Sequence, residues 1–264
     1  MSNIYQPFRS KILKIVPHTD IDYTFFMEYS GSVKPGQFFE VSIPRYGEAP
    51  ISVSDIGDNY IGLTIRRVGV VTNTIHELAE GDSLFLRGPY GNGFDVALYK
   101  DQEIIVAAGG TGLAPVKGIV DYYAANPGEV KSFTLLAGFK SPQDILFKAD
   151  IEKWKKSVGI VMTVDHSNDN AYRGNVGLIT THIKDIPVAN LSQAQIIIVG
   201  PPLMMKFTVA EFLKNGADED NIWVSYERKM CCGVGKCGHC KMDDTYICLE
   251  GPVFNYAKAK TLVD

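Results

Sequence analysis

Cys232, Cys237, Cys240 and Cys248 stand in the spacing C-x4-C-x2-C-x7-C, inside and just beyond the stretch MCCGVGKCGHC that also holds Cys231. These five are all the cysteines of the 264-residue chain. Thiolate is the ligating form of cysteine, and C-x4-C-x2-C followed by a more distant cysteine is the plant-type ligand run for a [2Fe–2S] cluster. Gly233, Gly235 and Gly238 suit such a loop, because glycine accepts the positive φ that turns N–H groups toward sulfur. Two other chemistries use the same residue types. A four-cysteine zinc site normally shows two short C-x2–4-C pairs, which Cys232–Cys237 and Cys240–Cys248 fit badly. Cys237-Gly238-His239-Cys240 has the form of a thiol–disulfide exchange motif, but such motifs open a helix rather than lie in a glycine-rich loop. Cys231 is expected to be a small apolar residue beside the metal. A cluster carries single electrons, so the remainder of the chain should hold their source and their outlet.

Two glycine turns offer a source. Ala108-Gly109-Gly110-Thr111-Gly112-Leu113-Ala114-Pro115 lies between a short apolar run, Glu103–Ala108, and the helically spaced Val116, Ile119, Val120 and Tyr123. A glycine turn feeding a helix N-terminus suits a pyrophosphate, and proline is tolerated at the first helical position. A second turn, Gly200-Pro201-Pro202-Leu203-Met204-Met205, follows the run Ile196–Val199. Side by side, two such turns make a dinucleotide crevice at the C-terminal ends of parallel strands. A glycine-rich strand-to-helix turn can also be purely structural, and a methionine here can be core filler.

The supporting elements fall into three stretches. Residues 1–99 alternate β-branched and apolar runs (11–16, 23–29, 37–43, 60–65 and 83–86) with turn residues such as Lys34-Pro35-Gly36, Gly47 and Gly81-Asp82. This is the pattern of a β-barrel or sandwich, with one helical piece at 73–78. Residues 100–224 alternate strands (103–108, 132–137, 159–164, 196–199, 222–224) with helices (116–123, 143–156, 177–183, 203–214), which implies βαβ units on a parallel sheet. Residues 225–264 form a metal-organised tail. Within the first stretch, Ala49-Pro50-Ile51-Ser52, Ile65 to Thr72 and Arg87 to Phe94 could each be turn punctuation with a surface arginine.

Composition narrows the class. A net charge of −4, with no basic block beyond Lys153, Lys155 and Lys156, argues against a nucleic-acid binder. No run approaches 18 apolar residues, so a spanning helix is not expected. The N-terminal residues show no secretory pattern, and the expected location is cytoplasmic.

The order of motifs (xPxS, R-x-V-G-x-x-T, GPxGxGF, GGTGxAP, GPPxMM, then the cysteine run) resembles the ferredoxin–NADP reductase-like flavoprotein superfamily. Within it, the chain is similar to electron-transfer subunits with a C-terminal [2Fe–2S] domain, among them those of dihydroorotate dehydrogenase and anaerobic sulfite reductase. The segments GEAPISVSD (47–55), PYGNGF (89–94), KCGHCKM (236–242) and GPVFNYAKAK (251–260) look most like the sulfite reductase subunit. The resemblance implies an antiparallel FAD-binding barrel (1–99), a Rossmann-like NAD-binding domain (100–224) and a small [2Fe–2S] loop domain (225–264). By position it implies FAD contacts at Pro50, Ile51, Ser52, Ile65, Arg66, Val71 and Thr72. The superfamily's arginine before the xPxS proline is Ala49 here, and Arg66 or Arg67 is expected to supply that charge. For the nicotinamide cofactor it implies Gly110, Thr111, Gly112, Ala114, Pro115, Gly138, Gly200, Pro201, Pro202 and Met204. Asp144 would repel a 2′-phosphate, which favours NADH as donor. The implied metal ligands are Cys232, Cys237, Cys240 and Cys248, and the implied partners are the iron–sulfur and sirohaem subunits of a sulfite reductase. The alternatives are the same relay serving dihydroorotate dehydrogenase or another acceptor, and a zinc-stapled nucleotide-binding regulator without redox function.

Overall fold

The structure, a computed structural model, describes residues 3–168 and 171–262. They form two compact units. One takes the chain up to Phe94 together with Tyr226–Val253; the other takes Asp95–Ser225 with Phe254–Thr261.

The first unit begins with β1 (Phe8–Pro17), β2 (Asp22–Glu28), β3 (Phe38–Ile43), β4 (Gly47–Ile56) and β5 (Tyr60–Arg66), then helix α1 (Val70–Ile75) and β6 (Ser83–Tyr90). The six strands close into an antiparallel barrel in the order β1-β2-β5-β4-β3-β6. Alternation along each strand sends one face inward. Phe25 and Met27 of β2, Phe39 and Val41 of β3, Leu63 and Ile65 of β5, and Leu84 and Leu86 of β6 meet in a single apolar core. Strand β4 departs from the expectation of a turn at Gly47. A proline inside a run argues against a strand, yet Pro50 stands within β4 opposite Glu40. It is tolerated because this half of β4 pairs with β3 alone; pairing with β5 begins only at Val53.

The second unit holds β7 (Glu103–Gly109), α2 (Leu113–Ala125), β8 (Ser132–Phe139), α3 (Lys148–Trp154), β9 (Gly159–Val164), β10 (Asn175–Val176), β11 (Gln195–Val199), α4 (Pro202–Lys214) and β12 (Ile222–Ser225). Strands β10-β9-β8-β7-β11-β12 run parallel in that order. The helix expected over 143–156 is shorter. Ile145, Leu146 and Phe147 are consecutive and all buried, which no 3.6-residue period allows. Phe147 takes φ 52°, and the helix starts only after it. The piece expected at 177–183 is a 3₁₀ segment, Ile179–Asp185.

Beyond β12 come a two-stranded hairpin of β13 (Lys241–Met242) and β14 (Thr245–Tyr246), one helical turn α5 (Ile247–Glu250), strand β15 (Val253–Asn255) and α6 (Tyr256–Ala259). Strand β15 completes the seven-stranded sheet beside β12. Among the described residues no helix is long and apolar enough to cross a membrane.

The two glycine turns meet because β7 and β11 are neighbours, with Ala108 opposite Val199. A Cβ on Gly112 would lie 2.5 Å from the Val199 carbonyl oxygen and 2.7 Å from the Gly200 Cα. Both obstacles are backbone and cannot swing aside. Gly112→Ala is expected to cost about 1–3 kcal/mol of stability as an overpacking change. A urea unfolding series measures this, and an unchanged midpoint would contradict the close approach.

Candidate iron–sulfur centre and nucleotide turns

The cysteine loop is organised by its own backbone. Val234, Lys236 and Cys237 donate N–H bonds to Cys232 Sγ at 3.5, 3.3 and 3.4 Å. Gly235 N–H donates to Cys248 Sγ at 3.2 Å, and Cys248 N–H to Cys240 Sγ at 3.5 Å. Gly233, Gly235 and Gly238 hold φ of 72°, 67° and 82°, the left-handed turns that aim these groups inward. The thiols, all free, are gathered two by two, with a side-chain hydrogen bond between Cys232 and Cys237 and another between Cys240 and Cys248. Among the described residues no three His, Cys, Asp or Glu groups are placed to hold one metal ion. Two thiol pairs, with N–H donors facing where sulfur charge would sit, fit a [2Fe–2S] rhombus that takes two thiolates per iron. Cys240 and Cys248 are buried, whereas Cys237 is exposed. A backbone hydrogen bond from His239 leads the causes that hold the Cys237 thiol below its ordinary value. Burial, helped by the bond with Cys240, pushes Cys248 up to about 12. Burial leads a rise at Cys231 as well, and Cys237 adds to it.

This loop rests on the outer face of the barrel. Arg87, buried at the end of β6, donates from Nη2 to the Cys231 carbonyl at 2.7 Å and from Nη1 to the Cys232 carbonyl at 3.0 Å. The same guanidinium grips Glu48, Nη2 to Oε1 at 2.7 Å and Nε to Oε2 at 3.3 Å, and reaches the Tyr90 hydroxyl at 3.2 Å. Burial alone would lower Arg87; its bond to Glu48 and the charges of Tyr90, Glu48 and Glu40 outweigh that and hold it above its ordinary value. Asn92 ties down the end of the segment: its amide nitrogen donates to the Glu250 and Val253 carbonyls, and its oxygen accepts from Val253 N–H. The sequence allows residues 87–94 to be turn punctuation, yet the loop groups that Arg87 and Asn92 bind lie 144 to 161 positions away, which no local pattern reveals.

Glu40 is the anomaly. It alternates with Phe39 and Val41 on β3, so it faces away from the barrel core, yet it is fully buried. Neither carboxylate oxygen has a hydrogen-bond partner among the described residues. Burial first, then the charge of Glu48, push it up to about 7, against a pull from Arg87. A folded-state value above the usual 4.5 means that the fold binds an extra proton between the two. This contribution to stability is therefore complete below about 4.5 and is lost as pH rises through about 7. Glu40→Gln is expected to flatten that fall. Chemical denaturation across this range tests it, and an unaltered slope would contradict the assignment.

The nucleotide turns have open helix ends. Gly110 takes φ 54°, and neither α2, preceded by Gly112, nor α4, preceded by Pro201, has a side-chain cap on its first N–H groups. Thr111 lies in the 3₁₀ turn Gly110–Gly112, and Ala114 and Pro115 stand in the first turn of α2; Gly138 stands opposite Gly109 near the end of β8. Gly200, Pro201 and Pro202 lead into α4, where Met204 covers Gly109 and Gly200 while Met205 is the buried filler. Asp144 accepts a hydrogen bond from the Ser141 hydroxyl just beyond β8.

The barrel candidates divide. Pro50, Ile51 and Ser52 lie half-buried along β4, and Val71 is half-buried on α1. Arg66 forms a fork with the buried Asp22, Nε to Oδ1 at 2.8 Å and Nη2 to Oδ2 at 3.0 Å, so its guanidinium is held in one orientation. The Ile65 side chain belongs to the barrel core, and the Thr72 hydroxyl caps α1 through Val68, Gly69 and the Gly69 carbonyl. Those two side chains are spent on the fold.

A closed antiparallel barrel, a parallel nucleotide-binding sheet and a cysteine loop together make a ferredoxin reductase-like architecture. Residues 106–210 match the oxidoreductase NAD-binding domain, and residues 227–260 match the iron–sulfur cluster binding domain of dihydroorotate dehydrogenase B. The chain is 34% identical to sulfhydrogenase 2 subunit gamma of Pyrococcus furiosus, over 96% of each chain. It is 32% identical to a probable dihydroorotate dehydrogenase B (NAD(+)) electron transfer subunit of Methanocaldococcus jannaschii, over 94% of this chain and 90% of that one. An NADH-dependent reduced ferredoxin-NADP oxidoreductase structure superposes with a TM-score of 0.77 at 22% identity, covering 96% and 92% of the two chains. The chain belongs to the family that holds the sulfhydrogenase gamma subunits and the electron-transfer subunits of dihydroorotate dehydrogenase B. These relatives lend no support to the sulfite reductase specificity suggested by the local segments.

Proposed function

We propose that this chain is the electron-transfer subunit of an NADH-dependent flavin and iron–sulfur oxidoreductase, delivering single electrons to a separate catalytic subunit. The observation that carries the reading is the cysteine loop, where five backbone N–H groups converge on three sulfurs within two thiol pairs. Bound in their places, FAD would accept hydride from NADH, and a [2Fe–2S] cluster would carry the electrons onward one at a time.

The chain's own residues do the holding. Cys232, Cys237, Cys240 and Cys248 are the cluster ligands. Pro50, Ile51 and Ser52 flank the flavin ring, and Arg66, fixed by Asp22, supplies the positive charge that Ala49 lacks. Gly110, Thr111 and Gly112 bring backbone close to the pyrophosphate of NADH at the open end of α2. Gly138, Gly200, Pro201, Pro202 and Met204 border the same crevice, and Asp144 sits where a ribose 2′-hydroxyl would be accepted and a 2′-phosphate repelled.

The relatives favour a partner of the sulfhydrogenase or dihydroorotate dehydrogenase B kind over a sulfite-reducing one, whose support is confined to the short segments named above. Protein purified without oxygen should be yellow-brown, with flavin bands, about two iron atoms and two acid-labile sulfides per chain. A colourless chain containing zinc would sink the proposal in favour of a nucleotide-binding regulator. The subunit that co-purifies, assayed for NADH oxidation with dihydroorotate-type, hydrogenase-type or sulfite substrates, identifies the partner. Asp144→Asn should narrow the preference for NADH over NADPH about tenfold, or about 1.4 kcal/mol; an unchanged ratio of kcat/KM would remove Asp144 from the site.

A further inference from the structure

We propose that Arg87 sets the reduction potential of the cluster, with Glu48 as its counter-charge; the inference rests on the cluster reading above. A guanidinium buried under a metal loop is costly unless its donors and its charge are used. Here it is used twice. One edge forms a fork with Glu48 on β4, and the other reaches the two consecutive carbonyls of Cys231 and Cys232, the peptide groups on either side of the first ligand's Cα. Tyr90 completes the seat, accepting from Nη1 and donating to the Ile4 carbonyl at 2.9 Å. A Cβ on Gly233, the residue after that ligand, would run into the Tyr90 ring, so the loop lies directly on this platform.

Reduction adds one negative charge to the loop. A fixed positive charge held against the Cys232 backbone stabilises the reduced form more than the oxidised one and raises the potential. Glu48 opposes it from the other side of the guanidinium, and Glu40 on β3 adds to the local field. Arg87 therefore acts through the loop and touches no reacting atom; it is a positioning residue whose charge is felt at the metal.

The sign separates this role from a purely structural one. A loop that is merely loosened admits water, which favours the more highly charged reduced form and moves the potential upward. Loss of the Arg87 charge moves it downward. The test is an anaerobic redox titration of the full chain at one fixed pH, followed by the electron paramagnetic resonance signal of the reduced cluster, with iron and sulfide counted for each variant. Arg87→Gln is expected at a more negative midpoint than the parent, Arg87→Lys in the same direction by less, and Glu48→Gln at a more positive one. A parent chain with no iron, no sulfide and no signal defeats the cluster reading itself. A parent chain with a normal cluster, but Arg87 variants at or above its midpoint, overturns the role of Arg87. Where Arg87→Gln does not load, Arg87→Lys decides by the same sign; where neither loads, an unchanged or lowered midpoint in Glu48→Gln overturns the proposal.

Discussion

A metal loop of this length has no core of its own, and the structure depends on how that lack is made good. Tyr226–Val253 joins the barrel unit although it is separated in sequence from the barrel by the whole parallel sheet. Small segments bury too little apolar surface to hold one conformation by themselves. The barrel supplies the missing surface through the last turn of β6 and the residues after it. Arg87 takes the entrance of the segment and Asn92 its exit, while Gly91 leaves room for Pro252 and Gly251. The thiol pairs are thus held between two anchors a few residues apart on one strand end.

That docking explains an otherwise awkward residue. A strand of a half-solvated barrel should alternate apolar and polar, and Phe39-Glu40-Val41 does so. The outer face of β3 is nevertheless covered, so the polar member of the alternation is buried without a partner. An isolated buried carboxylate is expensive when ionised and far cheaper when protonated, which is the direction its titration takes. The neighbouring Arg87 does not rescue it, because the guanidinium's directed bonds go to Glu48, Tyr90 and the loop carbonyls. One guanidinium thus serves a carboxylate and two carbonyls at once, and leaves Glu40 without a directed bond.

Local pattern revealed most of the scaffold and little of this arrangement. The strand runs of the parallel sheet and the glycine turn into α2 were legible because buried parallel strands are continuous apolar segments and glycine marks close approach. β4 was hidden by Pro50, whose tolerance depends on a missing neighbour strand rather than on its own sequence. The helix ending at Trp154 starts later than its apolar residues suggest, because Ile145, Leu146 and Phe147 are buried consecutively and Phe147 takes a left-handed conformation just before the first helical turn. Of the candidate flavin contacts, Ile65 and Thr72 match the motif yet spend their side chains on core and cap. The four cysteines were legible as ligands; that they stand on Arg87 was not, since 145 residues separate Arg87 from Cys232.

Cofactor motifs also explain why local segments say little about the acceptor. Groups that hold a flavin, a dinucleotide and a cluster answer to the geometry of those cofactors, which is common to every member of such a family. Of the local segments, 236–242 lies within the cysteine loop itself, where residues answer to the cluster before they answer to a partner. Identity to a sulfhydrogenase gamma subunit over 96% of the chain, and to a dihydroorotate dehydrogenase B electron-transfer subunit over 94%, samples the surface as well. Acceptor choice is a difference between affinities for alternative partners, and it resides in surface residues free to vary once the cofactors are seated. The constraint that makes the relay recognisable is therefore the same one that conceals whom it serves.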